Sequence, residues 1–183
     1  MVKRSEIVDY VTYEDIRGRF RAQVMKAKEL RRVHLGEYLT LLFENHLTVR
    51  YQIQEMIRAE RIVRESDIVH EIDTYNELLG SEGELGCTLL IEIEDAALRD
   101  RKLQEWRSLP EKIYAVLEDG TRIAARFDER QRGDGRLSSV QYLKFKTRGA
   151  VPVAIGVDLD DLRNETLLKH DQREALRADL EER

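Results

Sequence analysis

Cysteine occurs once in the 183 residues, at Cys87, and proline only twice. A single thiol excludes an intrachain disulfide and any zinc or iron–sulfur site built from several cysteines, and it suits a reducing compartment. Iron–sulfur chemistry connected with this chain therefore belongs to a partner. Long apolar runs are absent too: nothing approaches the ~18 residues of a membrane span. The opening MVKRSEIVDYV lacks the apolar core of a secretory signal, so a cytosolic protein with no membrane contact is expected. Aromatic residues make up 7% and do not interleave with basic ones, which removes the stacking platform a single-stranded nucleic acid needs. There is no phosphate loop, dinucleotide fingerprint or HExxH motif.

What is present points to a folded chain. A hydrophobic content of 42% beside 37% charged residues is too apolar for disorder, and the length allows a substantial core. The net charge of −5 conceals a division: residues 1–64 carry 13 Lys and Arg against 9 Asp and Glu, and the remainder 18 against 27. Such a basic front and acidic rear bear on association with partners, not on fold.

The most informative stretch is residues 31–64. Residues 39–43 are too few for a helix and too apolar for water, and read as a buried strand. They lead into a polar corner at Glu44, Asn45 and His46. A long amphipathic helix follows, with Thr48 as its cap and Val49, Ile53, Met56, Ile57 and Val63 at helical spacing. Before it, residues 12–32 form a helix ending near Gly36, with Ile16, Phe20, Val24, Ala27 and Leu30 inward and Arg17, Arg21, Lys28 and Arg32 along the outer side. After it, a helix capped by Ser66 carries Ile68, Ile72, Tyr75 and Leu79 and ends at Gly80.

Beyond residues 80–86 the period changes from 3.6 to 2. Cys87, Leu89, Ile91 and Ile93 alternate with Thr88, Leu90, Glu92 and Glu94 on a half-buried strand. A helix over residues 96–107 precedes a break at Pro110. Asp119-Gly120, between two strand-like runs in residues 113–127, predicts an antiparallel hairpin. Residues 131–136, with two glycines, read as a mobile loop. Strands follow at residues 139–146 and 151–157, and a charged helix over about residues 164–182 docks through Leu167, Leu168, Leu176 and Leu180. Segregated helices and strands argue an α+β fold with mostly antiparallel pairing. The expectation is one α+β domain over residues 1–183, helical through residue 80, mainly sheet over 87–158, with a C-terminal helix over 159–183.

Chemistry-bearing residues are sparse. Asp67 and His70 stand three apart on a helix, followed by Glu71, as in di-iron or manganese bundles, but no second such motif follows. Glu92, Glu94 and Asp95 read as the solvated side of a sheet. Cys87 has no histidine at a spacing that would activate it and reads as a core residue. Gln52, Glu55, Arg58 and Glu60 form the polar face of the central helix, and the spacing of three predicts a network centred on Glu55 and Arg58 that reaches the corner at Glu44 and Asn45.

The runs RRVHLGEYLTLLFENHLTVRYQIQEMIRAERI, TYN followed by ELLG, CTLLIEIED and SSVQYLKF, in that order, resemble the bacterial family called domain of unknown function 3501. The resemblance spans residues 17–145 and rests chiefly on the FENxxTVxYQxQEMxRxE pattern. It implies a redox or peroxide-stress setting, because genes of the family lie beside those of rubrerythrin-like and iron–sulfur proteins. It carries over only the family-pattern positions Glu44, Asn45, Gln52, Glu55, Arg58, Glu60, Tyr75 and Asn76, which we read from their polar character and spacing as a candidate polar network or binding site. The expected function is a non-catalytic accessory or interaction protein with a rubrerythrin-like or iron–sulfur partner, and no cofactor of its own. The alternative is a metal-binding protein or enzyme using Glu44, Glu55, Glu60 and His70.

Overall fold

The computed structural model describes residues 1–128 and 135–182. Of the loop expected at residues 131–136, all but the last two residues lie outside the described ones. The class is α+β, and among the described residues every strand pairing is antiparallel.

Helix α1 spans Tyr10–Glu29, and its cap is Asp9, whose carboxylate accepts from the amides of Val11 and Thr12, in place of the expected Thr12. The helix ends earlier than its periodicity suggested, because Arg32–Leu35 is extended as β1, with Val33 and Leu35 inward. Strand β2 (Leu39–Glu44) is buried on both faces. Helix α2 (His46–Glu60) follows, then α3 (Glu65–Asn76), preceded by Arg64 instead of Ser66. Strand β3 (Leu85–Ile91) is also buried on both faces, so the half-buried reading of this strand is corrected. Then come α4 (Ala96–Glu105), the single turn α5 (Leu109–Lys112) containing Pro110, β4 (Ile113–Val116) and β5 (Arg122–Ala124). The chain continues as β6 (Arg126–Phe127), β7 (Val140–Phe145) and β8 (Ala154–Val157). Residues 164–167, read as helix, are strand β9 (Asn164–Leu167), and the terminal helix α6 occupies only His170–Glu181. Pairing with β8 decides this, and Leu167 is left 75% exposed where docking was expected.

The strands divide into two sheets instead of the single one anticipated: β1-β2-β3-β7-β6 and β5-β4-β8-β9. The hairpin at Asp119-Gly120 joins β4 to β5, with Gly120 at φ +82°. Between the sheets lies the larger apolar cluster, with Phe43, Leu89, Leu143, Ile113, Ile155 and Trp106 among its members. Helix α2 meets the sheet at its start, where the Thr48 hydroxyl donates to Glu44 of β2. Val49, Ile53 and Ile57 join Ile68 and Ile72 of α3, together with Val2 and Ile7 of the N-terminal segment, in a second cluster. Where the helices meet the sheet, Leu78 lies so close to Gly86 that a Cβ on Gly86 would stand 1.9 Å from the Leu78 carbonyl oxygen. Glycine here is what allows the end of α3 to rest on β3.

Candidate functional site

The corner after β2 is a polar interface. Glu44 is 2% exposed, and its carboxylate accepts from the Thr48 hydroxyl at 2.5 Å and the Thr88 hydroxyl at 2.7 Å. Asn45, not Thr48, is the cap of α2: its side-chain oxygen accepts from the Thr48 amide at 3.0 Å, while the Thr48 hydroxyl accepts from the Asn45 amide. This reciprocal box satisfies two amides at the helix start. The other end of the Asn45 amide donates to Asp179 of α6 at 3.0 Å. Asp179 also takes a two-pronged pair from Arg31 at 2.7 and 2.8 Å, and Arg31 donates to the Ala27 carbonyl at the end of α1. Arg31 and Asp179 are both buried. Thus α1, α2 and α6 are tied together at one buried ion pair, and neither Arg31 nor Asp179 was singled out from sequence. Their 148-residue separation left no periodic signal.

Glu55 and Arg58 belong elsewhere, and the network expected between them and the corner does not form. Ten residues beyond Asn45, at ~1.5 Å per residue, Glu55 stands about 15 Å up the helix and faces α1. Its carboxylate accepts from Arg17 at 2.8 and 2.9 Å and from the buried Tyr13 hydroxyl at 2.8 Å. The Arg17 guanidinium holds Glu55 below the usual carboxylate range against the opposing effect of burial, with Tyr13 and Arg58 adding to it. Arg58 is peripheral, 3.7 Å from both Glu55 and Glu14. Gln52 is half-buried and takes no part in this network, and Glu60 is exposed at the helix end. The amide that matters on this helix is the buried Gln54, which pairs with both backbone groups of Val8.

The last two family-pattern positions, Tyr75 and Asn76, lie at the end of α3. Tyr75 walls a groove of about 670 Å³ together with Leu78, and its sheet side carries Arg126, Tyr142 and Lys144. The volume falls in the range of small-ligand and peptide-anchor sites. Burial pushes the Tyr75 phenol up, and Glu71, Tyr142 and Glu60 add to this. Arg126 is bound to the buried Glu84 at 2.8 Å. Lys144 lines this groove and an adjoining one of about 520 Å³ that Asn76 and Gly80 also border.

Other candidates separate. Asp67 and His70 are exposed on α3, and among the described residues no three His, Cys, Asp or Glu side chains come together as a metal site. Glu44, Glu55, Glu60 and His70 therefore do not converge. Cys87 is buried, and burial, with the Glu44 carboxylate, pushes its thiol well above its ordinary range. The basic row expected on α1 divides: Arg17 holds Glu55, and Lys28, lowered by burial, lies 5.4 Å over the Tyr51 ring, while Arg21 is exposed and Arg32, also exposed, belongs to β1. Among the described residues, no helix is long and apolar enough to cross a membrane.

The structure is similar to the crystal structure of a protein of unknown function from Burkholderia pseudomallei K96243, with a TM-score of 0.90, 29% identity and 98% of each chain covered. No curated protein matches the chain. The family model described as protein of unknown function (DUF3501) matches residues 1–180, and the chain belongs to that family.

Proposed function

We propose that this protein is a non-catalytic accessory protein that binds a partner through the groove between α3 and the β6–β7 edge. One observation carries the reading. Two of the runs that mark the family, TYNELLG at residues 74–80 and SSVQYLKF at residues 138–145, are more than 55 residues apart in sequence yet supply Tyr75, Leu78, Tyr142 and Lys144 to one groove. Aromatic residues around a basic one are the composition of interface anchors. Meanwhile the acids and the thiol that chemistry would require are engaged in the fold: Glu55 by Arg17 and Tyr13, Glu44 by two hydroxyls, and Cys87 by burial. The partners proposed are a rubrerythrin-like or an iron–sulfur protein in a redox or peroxide-stress setting in the bacterial cytoplasm.

Titration calorimetry of the purified rubrerythrin-like and iron–sulfur proteins of the same host against this protein tests the proposal. Saturable binding to one of them, reduced at least tenfold by Tyr142→Ala or Lys144→Glu and unchanged by Val69→Ala on the exposed side of α3, supports it. Binding indifferent to the groove substitutions removes the groove from the reading. Near-stoichiometric iron, manganese or zinc in untagged protein, lost on Glu55→Ala, overturns the non-catalytic assignment.

A further inference from the structure

The N-terminal segment is held against α2 and α3 in the way a protein holds a peptide ligand. At one end Asn76 brackets the backbone of Val2: the Val2 amide donates to its side-chain oxygen at 2.9 Å, and its side-chain nitrogen donates to the Val2 carbonyl at 3.0 Å. At the other end the buried Gln54 does the same to Val8, at 2.8 and 3.1 Å. A side-chain amide that pairs with both groups of one residue reads backbone irrespective of side chain, as an adjoining strand does. Selectivity comes from what lies between. Val2 and Ile7 are 3% and 4% exposed and insert into the apolar cluster formed by α2 and α3. Arg4 makes a two-pronged pair with Glu65 of α3 at 2.6 and 2.9 Å. The backbone is extended at Lys3 and Ile7 around a single tight turn, Arg4–Glu6.

We infer that the cleft between α2 and α3 is a peptide-recognition site occupied in cis by residues 2–8, and that it accepts a segment of another protein with two aliphatic anchors five residues apart and a basic residue between them. This site is separate from the groove of the proposed function and stands without it. The bound segment has an effective concentration on the order of millimolar, so a competitor gains access only when the segment lifts. Its rim contacts suit release: the Arg4–Glu65 pair is solvent-exposed, and an exposed ion pair adds little to stability.

The test uses a fluorescent synthetic peptide of residues 1–10 and the full chain with Val2→Asp and Ile7→Asp, which ejects the segment. Anisotropy should show the peptide binding this variant at least tenfold more tightly than the wild-type chain. A peptide carrying the same two substitutions should not bind. A variant with native circular dichroism that fails to bind the wild-type peptide overturns the proposal. Native-state hydrogen exchange decides independently, even if the variant does not fold. The Val2 and Val8 amides should exchange at least a hundredfold faster than the Ile53 amide and without its denaturant dependence. Exchange of all three only through the same global opening overturns the site.

Discussion

Asp179 should be the most sensitive charged position on the surface of contact between α6 and the rest of the chain. Its side chain is 2% exposed and that of Arg31 is 9% exposed. Replacing Asp179 by Ala leaves the guanidinium of Arg31 buried without its two carboxylate contacts and takes an acceptor from Asn45, the cap of α2. Removing one member of a buried, hydrogen-bonded pair costs about 3–5 kcal/mol, against roughly 0–1 for an exposed one. For a chain of this size about 2–4 °C of melting temperature accompanies each kcal/mol, so Asp179→Ala should melt some 6–20 °C below wild type. Urea unfolding followed by circular dichroism measures the same loss without heat. The double variant Arg31→Leu, Asp179→Leu should recover much of it, because an apolar pair of similar volume does not carry the cost of desolvating two charges. A loss under about 1 kcal/mol for Asp179→Ala, or a double variant no better than the single, would show that water reaches this pair and that it does not hold α6 in place.

Glu55 and Arg58 should behave unequally. Glu55→Ala leaves the buried Tyr13 hydroxyl without its acceptor, a loss of about 1–3 kcal/mol, whereas Arg58→Ala, with its contacts at 3.7 Å, should cost under about 1; equal losses in urea titrations refute the assignment of Glu55 to α1. Because the folded state holds Glu55 below the ordinary glutamate value of roughly 4.3, its stabilisation is fully present above that pH and is lost as pH falls through the lower folded value. The stability gap between wild type and Glu55→Gln should therefore narrow only below about pH 4.3, and a gap that narrows on the alkaline side contradicts the sign. Gly86→Ala must push the Leu78 carbonyl away from β3, and overpacking of this kind costs at least about 1–3 kcal/mol; a melting temperature within 2 °C of wild type (on the order of 1 kcal/mol at this size) counts against the close approach. Cys87 should react with a thiol reagent only at the rate of unfolding, and fast native-state labelling would show that the strand is not sealed.

Much of the fold was legible because it depends on local periodicity. The buried run of β2, the 3.6-residue stripe of α2 and the Asp119-Gly120 turn each carry their signal within a few residues, and each element formed, although α2 starts at His46 and stops at Glu60, which leaves Val63, expected in its stripe, 72% exposed. Boundaries failed where tertiary pairing competed with pattern. Residues 32–35 and 164–167 read as ends of helices, yet backbone pairing with β2 and with β8 makes them strands. The corner at Glu44 and Asn45 was visible as polar residues between two buried elements, but its true partners were not. Spacing along one helix shows which side chains share a face and says nothing of what that face meets. Glu55 thus found Arg17 and Tyr13 on α1, while Asn45 found Asp179, 134 residues away. The groove, likewise, joins residues of α3 and β7 that are distant in sequence, and Leu78, which lines it, passes close over Gly86 of β3. Composition determined that this chain folds without disulfides, and the order of its helical and strand periods that it is α+β; the division into two sheets, the buried Arg31–Asp179 pair and the clamp on the N-terminal segment were decided by contacts between distant residues, which no local period encodes.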